Sequence, residues 1–584
     1  MKKSKMHRIL AMLLCLVLTV SLLAGCNEAP AEDTKSAETK APTTEPIAAE
    51  TTEPVEEPYL PLVKEGDEPV TLTIGVMQNV NTVDYETNDY TLWLEEQTGI
   101  KLDFVYFDAS GDGARTQLAL MMNGGEELPD ILWEFTALQG NLGWEYGRDG
   151  YFVDMLPLIE EYGYYYDMAL ENFVAPEDLA LVTSAGIDPV SGAQYALSHY
   201  EASTGSSAIA NHLMINAKWL EAVGEEIPTT VADLERVLEK FVTMDPNGNG
   251  QADEMGIVGK IDRVRGDLLE YISNAYIFNN KEYQFNQDEN GNLYLPYTTD
   301  EYRQALITLN RMYGKGLIAP VSFTLANDGE TMAIFTPASG TPVAGVVAGH
   351  PSLIVADQSE IIFDYVGLPP LKDETGKGGY QPRRAAVNQY NTYITEDCEN
   401  VELAFKLLDF MFSEESVIRQ RFGVKDVHWK YAEEGAVTNL GFPARIDVLD
   451  DTVFSQQGNA TWHYLGCVMV NYNKIGNSYT LNGEPTWAQR RSNWINTVLL
   501  ENWDAATNPK PVFSVVYNEA ENEIVKATSK LVYDYIVEAR ALFVTGVMDP
   551  NSDKDWNEYL NNLKAQGADQ YSEAANSAWD RMGN

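Results

Sequence analysis

The ten residues DPNGNGQADE, from Asp245 to Glu254, place oxygen-bearing side chains at the spacing of an EF-hand calcium loop. Such a loop supplies ligands from positions 1, 3, 5, 7, 9 and 12 and has glycine at position 6. Here Gly250 falls at position 6, and Gln251 can offer its backbone carbonyl at position 7. Carboxylate and amide oxygens suit calcium better than zinc. The sequence therefore predicts a structural calcium ion, held by Asp245, Asn247, Asn249, Gln251, Asp253 and Glu254.

The same loop lacks two features of an EF-hand sensor. Position 12 is Gly256, so the usual bidentate glutamate is missing, and Glu254 is expected to replace it. Thr230 predicts the start of an amphipathic helix before the loop, whereas MGIVG after the loop is typical of a strand. A helix–loop–strand unit cannot open as an EF-hand pair does. The alternative is a metal-free Asn-Gly turn, which these residues also favour.

Bulk composition limits the class of protein. A chain of 584 residues with 45% hydrophobic residues is long enough for two or three globular domains. The formal net charge of −47 argues against binding to nucleic acid, because a phosphate backbone attracts clustered lysine and arginine.

Residues 1–26 have the parts of an export signal. A basic start precedes the apolar run ILAMLLCLVLTVSLLA, which ends at Leu23-Ala24-Gly25-Cys26. This ending resembles the bacterial lipobox, in which the cysteine is acylated and becomes the mature N-terminus. Residues 27–66 are rich in Ala, Glu, Thr and Pro and predict a disordered tether. We therefore expect a protein anchored by a lipid at Cys26 to the extracellular face of the cell membrane.

Two cysteines remain in the mature chain, Cys398 and Cys467. An exported protein can form a disulfide, but two residues make no framework. A bridge and a pair of buried free thiols both stay open.

The start of the globular part predicts an α/β domain. VTLTIGVM (70–77) alternates β-branched residues as a buried strand does. A helix ending at Thr98-Gly99, a second strand, a second helix and the strand LPDILW follow. Short connections in a β-α-β-α-β order are typical of a parallel sheet.

These segments resemble the opening lobe of an extracellular solute-binding protein of the maltose-binding type (family 1), which captures ligands for ATP-binding-cassette (ABC) importers. The likeness continues through "GAQYALSHYEASTGSSAIANHLMINAKWLEAVG", "AAVNQYNTYIT" and the helix "ENVELAFKLLDFMFSEESVIRQRFG". The calcium loop resembles one found in a subset of the family that includes alginate- and oligosaccharide-binding members.

The resemblance implies a two-lobed, periplasmic-binding-protein-like fold with hinge crossovers and a ligand cleft between the lobes. It places residues 67–198 and 326–390 in the N-terminal lobe. Residues 199–325 and 391–584, with an extended C-terminal helical region, are placed in the C-terminal lobe.

Carbohydrates are bound by aromatic rings that stack on their apolar faces and by planar polar groups that reach their hydroxyls. Candidates lie at predicted strand ends, at crossovers and in the aromatic-rich C-terminal region, although large aromatic residues are more often packed in a core. The predicted ligand-binding residues are Gln78, Asn79, Trp133, Glu134, Tyr200, Asn388, Tyr390, Tyr393, Trp429 and Trp487.

The resemblance implies a monomeric, membrane-anchored solute-binding component of an ABC importer. It would capture a carbohydrate, with an oligosaccharide favoured, by hinge closure and deliver it to permease subunits. We expect no enzyme activity, since no G-x-S-x-G, phosphate-binding loop or H-E-x-x-H motif is present. The alternatives are a surface lipoprotein that degrades polysaccharide, as a glycosidase or lyase, and a receptor for a peptide-like solute.

Overall fold

The computed structural model is a mixed α/β structure, as the sequence predicts. It describes residues 60–138, 142–184, 186–202, 212–261, 266–279, 285–351, 353–356, 358–382, 387–438, 443–450, 453, 456–463, 466–478, 487–500, 512, 515 and 517–582. The predicted signal peptide, with Cys26, and most of the predicted tether lie outside these residues.

Fifteen strands are found in this part of the chain. They are β1 (Thr71–Met77), β2 (Lys101–Phe107), β3 (Ile131–Leu132), β4 (Leu197–Glu201), β5 (Leu213–Asn216), β6 (Met255–Gly259), β7 (Asn286–Gln287), β8 (Leu293–Tyr294), β9 (Ala344–Ala348), β10 (Tyr365–Gly367), β11 (Val387–Ile394), β12 (Trp429–Tyr431), β13 (Ile446–Val448), β14 (Val468–Val470) and β15 (Asn477–Ser478).

Eighteen α-helices lie in the same described residues. They are α1 (Asp89–Thr98), α2 (Gly111–Gly124), α3 (Leu142–Arg148), α4 (Leu156–Tyr162), α5 (Tyr164–Phe173), α6 (Leu179–Thr183), α7 (Ala217–Val223), α8 (Val231–Phe241), α9 (Leu268–Ser273), α10 (Asp300–Gly314), α11 (Asp328–Phe335), α12 (Val401–Phe410), α13 (Glu414–Phe422), α14 (Tyr472–Ile475), α15 (Trp487–Leu500), α16 (Glu519–Thr545), α17 (Asp553–Ala565) and α18 (Ala568–Arg581).

The larger sheet has six strands in the order β14-β4-β11-β3-β1-β2. β1 pairs in parallel with β2 and β3, and β4 pairs in parallel with β14. β11 runs antiparallel to both β3 and β4. Buried side chains of β1, among them Leu72, Ile74 and Val76, hold the sheet against its helices. We call the body built on this sheet the first lobe.

The second lobe is built on a four-stranded sheet in the order β10-β5-β9-β6. β6 pairs in parallel with β9, and β5 runs antiparallel to β9 and β10. Thr230 caps α8 by accepting a hydrogen bond from the backbone N–H of Asp233, and the apolar face of α8 is buried in this lobe. The predicted helix and strand on either side of the Asp245–Glu254 loop are thus α8 and β6.

The described elements change lobes three times along the chain: from β4 to β5, from β10 to β11, and from β15 to α15. The predicted lobe boundaries are therefore wrong after residue 325. Ala344–Ala348 and Tyr365–Gly367 pair in the second-lobe sheet, whereas Val387–Ile394 and Val468–Val470 pair in the first. The predicted boundaries followed the order of elements in the chain, and strand pairing between distant segments decides lobe membership.

The C-terminal helices α16, α17 and α18 cover the second lobe. Val532, Ile536 and Phe543 of α16 are fully or almost fully buried in its core. Within the described residues, no helix has both the length and the apolar character needed to cross a membrane.

The predicted tether ends earlier than Gly66. Leu60, Leu62 and Val63 pack against the first-lobe core, and the backbone N–H of Val63 donates to the carbonyl of Thr98 at 2.9 Å. The apolar residues at the end of the Pro/Glu/Thr-rich stretch therefore belong to the folded domain.

Cys398 and Cys467 are both buried and free. No disulfide joins them, so the free-thiol alternative holds.

Candidate ligand cleft and calcium loop

The ends of the parallel strands define a cleft edge on each lobe. In the first lobe, Gln78 and Asn79 follow β1, and Glu134 follows β3. The crossover to the second lobe leaves from the end of β4, at the same edge, because β4 and β3 both run antiparallel to β11. Ligands of open α/β sheets bind outside the carboxyl ends of the strands.

The second lobe presents the matching edge where β6, β9 and β10 end and β5 begins. The backbone N–H of Gly349, after β9, donates to the carbonyl of His212, before β5, at 3.1 Å. The rings of His212 and His350 meet edge to face, 5.6 Å apart. Sequence analysis missed both histidines because neither belongs to a recognised ligand motif. Only the antiparallel placement of β5 beside β9 brings them together.

Glu134 is the most unusual residue at the first-lobe edge. Its backbone has a φ of 44°, in the left-handed region that is unfavourable for a residue with a Cβ. Its N–H donates to Thr392 Oγ1 at 3.2 Å, and the next N–H, of Phe135, donates to the carbonyl of Asn391 at 2.5 Å. Strand β11 therefore holds this turn in place.

The Glu134 carboxyl has an unmet hydrogen-bonding capacity. Its Oε2 atom is inaccessible to solvent and has no hydrogen-bond partner among the described residues. Burial raises the pKa of this carboxyl well above its ordinary value. Buried acceptors are normally paired. An acceptor left unpaired at a cleft edge can receive a hydrogen bond from a ligand hydroxyl once its side chain turns toward the cleft.

Four of the predicted aromatic ligand-binding residues instead pack in the core of the first lobe. Trp133 lies edge to face against Trp462 with ring centroids 4.7 Å apart. Four residues are at most 2% exposed: Trp133, Tyr200, Tyr393 and Trp429.

The polar atoms of three of these residues also point to packing rather than to a cleft. Tyr200 donates its hydroxyl to Asp178 Oδ2 at 3.0 Å. The Trp429 indole donates to the carbonyl of Gly423 at 2.8 Å, and the Tyr393 hydroxyl donates to the carbonyl of Tyr390 at 3.1 Å. Aromatic type and position near a strand end did not distinguish core from cleft.

The remaining predicted residues have mixed placements. Gln78 is exposed and Asn79 is half-buried, with its side-chain amide oxygen accepting the N–H of Asn81 at 2.9 Å. Tyr390 is half-buried and donates its hydroxyl to the carbonyl of Val182 at 2.8 Å.

The other two lie on or beyond crossovers. The backbone of Asn388 pairs with Tyr200 in β11, but its side chain lies outside the described residues. Trp487 begins α15 on the second lobe and donates to the carbonyl of Ser359 at 3.2 Å. The structure thus brings Gln78, Asn79 and Glu134 to one edge and places Trp487 on the other lobe.

The loop between α8 and β6 is wound by hydrogen bonds to its own acidic and amide side chains. Asp245, with a φ of 47°, accepts the N–H groups of Asn249 and Gly250 at 3.1 and 3.0 Å. Asn249 Oδ1 accepts the N–H of Gln251 at 2.7 Å. The side-chain amides of Asn247 and Asn249 donate to Asp253. The side chains at EF-hand positions 1, 3, 5 and 9 therefore converge.

Two observations test whether this loop fits calcium. Glu254 Oε1 is inaccessible to solvent and has no partner among the described residues. Burial raises the pKa of Glu254, and the nearby charges of Asp253 and Asp245 raise it further. An orphaned acid beside two other acids is a donor set that a hard cation would satisfy.

The arrangement as it stands is not a closed metal site. In the described part of the chain, no group of three or more His, Cys, Asp or Glu residues is arranged to hold a metal ion. Asn247 and Asn249 turn their amide nitrogens toward Asp253. Because the oxygen and nitrogen of an amide are interchanged by a half-turn of the side chain, the same residues can present oxygens instead.

Comparison with known proteins identifies the family. A family model for bacterial extracellular solute-binding proteins matches residues 77–418. The fructooligosaccharide ABC transporter substrate-binding protein FusA of Streptococcus pneumoniae is 25% identical over 234 residues, 39% of this chain and 41% of FusA. Lipoprotein LipO of Bacillus subtilis is 34% identical over 111 residues, 18% of this chain and 21% of LipO. These alignments span less than half of either relative.

Solved structures share the fold. FusA in complex with kestose has a TM-score of 0.66 at 19% identity, covering 88% of this chain and 99% of that chain. An EF-hand mutant of FusA in complex with fructo-nystose gives a TM-score of 0.65 at 19% identity and the same coverage. A solute-binding protein of Bifidobacterium longum infantis that binds HMO has a TM-score of 0.68 at 18% identity, with coverage of 88% and 99%.

Proposed function

Because the chain belongs to the bacterial extracellular solute-binding protein family, we propose that it captures an oligosaccharide for an ABC importer. The ligand would bind between the two lobes, and the lobes would close on it about the three crossovers. The observation that carries this proposal is Glu134, an unpartnered buried acceptor held at the cleft edge by β11.

Carbohydrate is favoured over other solutes by two lines of support. The relative FusA is a fructooligosaccharide-binding protein, as its name states. At the cleft edge, Gln78, Asn79 and Glu134 offer amide and carboxyl groups, which suit the hydroxyl groups of a sugar.

A binding protein is also favoured over an enzyme. The matched relatives are a substrate-binding protein and a lipoprotein rather than hydrolases. Glu134 supplies one buried carboxyl at the first-lobe edge, whereas glycoside hydrolysis needs a pair of carboxyl groups flanking the scissile bond. The polysaccharide-degrading alternative therefore lacks a supporting observation.

A direct binding experiment tests the proposal. Isothermal titration of the protein with kestose, nystose, alginate oligomers and milk oligosaccharides should give saturable one-to-one binding of at least one glycan. Product analysis by chromatography of the same mixtures should show the glycan intact. Turnover would support the enzyme alternative, and binding of a peptide library with none of the glycans would support the peptide-receptor alternative.

Hinge closure has a separate readout. Small-angle X-ray scattering with a saturating ligand should give a smaller radius of gyration than the free protein. An unchanged radius with proven saturation would mean that the lobes do not close.

The calcium ion is part of the same proposal. Asp245, Asn247, Asn249, Gln251, Asp253 and Glu254 would hold it, and it would bind α8 to β6 in the second lobe, away from the cleft edge. The orphaned Glu254 Oε1 supports the site, and the EF-hand mutant of FusA indicates that a related protein has such a motif. Elemental analysis of the purified protein tests it, and a metal-free result after dialysis against calcium would remove it.

Lipid anchoring at Cys26 is proposed on the lipobox-like sequence and on the similarity to a lipoprotein of Bacillus subtilis. Metabolic labelling with an alkyne palmitate should mark the protein, and Cys26→Ser should abolish both the label and membrane association.

A further inference from the structure

The C-terminal helix α16 lies outside the segment that the family model matches, yet it enters the interior of the second lobe. Arg540, near its end, is 5% exposed and forms an ion pair with Asp267, which is 1% exposed, at 2.6 Å between Arg540 Nη2 and Asp267 Oδ2. Burial by itself would lower the pKa of Arg540, but the adjacent Asp267 carboxylate offsets burial and raises it. Both side chains of the pair are therefore buried, and the Arg540 guanidinium stays charged.

Asp267 uses its second oxygen to begin a helix. Its Oδ1 accepts the N–H groups of Leu269 and Glu270 at 2.8 and 3.0 Å, which makes it the N-cap of α9. The Asp267 carboxylate thus contacts Arg540 of α16 and the first turn of α9. Asp267 itself belongs to the connection that follows β6.

That connection belongs to the second-lobe cleft edge. Gly266, directly before Asp267, has a φ of 90°, and a Cβ placed on it would collide with the Cα of Gly349. Gly349 in turn donates its N–H to the carbonyl of His212 at 3.1 Å. Contacts therefore run without a break from Arg540 through Asp267, Gly266 and Gly349 to His212, at the start of β5.

We propose that Arg540 is a positioning residue for ligand binding, which fixes the second-lobe cleft edge through its ion pair with Asp267. This inference rests on the proposed function, because the edge matters only if a ligand binds there. A site held about 1 Å too loosely loses affinity even when every contact residue is present. Helix α16 would then contribute to ligand binding as well as covering the second-lobe core.

The test separates positioning from folding. Arg540→Met alone removes the guanidinium from beside a buried carboxylate and can unfold the lobe. The double variant Arg540→Met/Asp267→Asn removes both charges together, and asparagine caps helices as well as aspartate. Arg540→Lys keeps the charge but not the planar guanidinium.

A matched control exists on the same helix. Glu521, near the start of α16, pairs with Arg581 of α18 at 2.7 Å, far along the helix from Arg540. Arg581→Met breaks this pair without touching the cleft edge. It should lower the melting temperature and leave ligand affinity unchanged.

Two readouts are taken on the full-length protein: affinity for kestose by isothermal titration, and amide hydrogen exchange at Gly349, whose N–H donates to His212 and not to the substituted Asp267. For the double variant we expect a loss of affinity of about tenfold, in the range known for residues that act on a site through others. Exchange at the Gly349 amide should rise above that of both the wild type and the Arg581→Met control. Arg540→Lys should retain most of the affinity.

An unchanged affinity in the folded double variant would overturn the inference, whatever the exchange shows. Failure of the wild-type protein to bind kestose or any other glycan in the panel is a different result, since it would refute the proposed ligand class. In that case the exchange rate of the Gly349 amide decides alone, and an unchanged rate would show that Arg540 does not position the edge.

Discussion

Replacing Glu134 by glutamine should make the protein more stable and a poorer receptor at the same time. The substitution keeps the shape of the side chain and removes its charge. Glu134 Oε2 is buried without a partner among the described residues, and burial raises the pKa of the carboxyl. The free protein therefore carries a group that disfavours its own folded state.

The expected gain in stability follows from the hydrogen-bond deficit. An unsatisfied buried polar group costs about 1–3 kcal/mol, and more when it is charged. Glutamine leaves a neutral acceptor in the same place, so only the charge-specific part is recovered, about 1–2 kcal/mol at pH 8. The unfolding entropy of a domain of this size is roughly 1 kcal/mol per kelvin, so the melting temperature should rise by about 1–2 °C.

The change in stability caused by Glu134→Gln should depend on pH. A carboxyl whose pKa is higher in the folded than in the unfolded state binds its proton more tightly when folded. At pH 4 both states are largely protonated, and Glu134→Gln should change the melting temperature little. The difference should grow as the pH rises above the unfolded pKa, about 4.3 for glutamate, and level off above the folded pKa.

Ligand affinity should move in the opposite direction. A hydrogen bond to a charged group contributes about 1.5–3 kcal/mol and one to a neutral group about 0.5–1.5 kcal/mol. Because glutamine keeps a neutral acceptor, only the difference of about 1–1.5 kcal/mol is lost, which weakens binding by roughly 5- to 10-fold. Differential scanning calorimetry at pH 4 and pH 8 and titration with the glycan found to bind measure the two effects. Glu127→Gln is the control because Glu127 is an exposed acid of the same lobe. Equal stability of Glu134→Gln and wild type at pH 8, or unchanged affinity, would refute the reasoning.

Four further predictions concern stability and lobe contact. Calcium at a hundredfold its dissociation constant should stabilise the protein by about 2.7 kcal/mol in a melt compared with a chelator control. This gain should vanish when the acids of the Asp245–Glu254 loop are replaced by alanine. A gain that persists in the alanine variant would contradict the calcium site. Burial raises the pKa of Asp409 to about 7. Urea titrations should therefore show the wild type losing stability relative to Asp409→Asn as the pH rises from about 4 to 7. Parallel stability–pH curves for the two proteins would count against this prediction. Gly378 has a φ of 79° and a Cβ there would collide with a backbone carbonyl, so Gly378→Ala should lower the free energy of unfolding by about 2 kcal/mol or more; a neutral result in denaturant would be inconsistent. Lys526 of α16 and Glu145 of α3 lie on different lobes, with 3.7 Å between Lys526 Nζ and Glu145 Oε1, and both are half-exposed. A double-mutant cycle on ligand affinity should therefore give a coupling of at most about 1 kcal/mol that falls with added salt. A larger, salt-independent coupling would mean a different contact.

Local signals in the sequence predicted the first part of the fold well. β1, α1, β2, α2 and β3 follow one another as the alternation and cap residues indicated, and Gly99 ends α1 with a φ of 73°. Such features depend on neighbouring residues, which a single sequence displays. The α8–loop–β6 unit was predicted for the same reason.

Pairing between distant segments could not be predicted in this way. β11 and β14 complete the first-lobe sheet although they follow all four strands of the second-lobe sheet in the chain. Their apolar residues fit either sheet, so the order of elements in the chain gave the wrong boundary. The same limit hid the pairing of Arg540 with Asp267, which are 273 residues apart.

The candidate ligand-binding residues stay predictions, and the sequence indicated the position of only some of them. Glu134 was identified because it follows a strand, and its left-handed backbone and unpartnered oxygen are visible only in three dimensions. Trp133, Tyr200 and Trp429 have the residue types that bind sugars, yet all three are buried at 1% exposure or less. Side-chain chemistry is the same in a core and in a cleft, so residue type alone does not separate them.

The strand order of the first-lobe sheet has a consequence for how the protein folds. The second-lobe sheet uses strands between residues 213 and 367, whereas the first-lobe sheet needs strands from residue 71 to residue 470. During synthesis, β1, β2 and β3 emerge early, but β11 and β14 emerge only after all four strands of the other sheet. The partner of β3 lies nearly 260 residues downstream, so the edge of β3 stays unpaired until β11 is made. An unpaired strand edge is an aggregation-prone surface. The lobe that begins the chain is the one whose sheet is completed last.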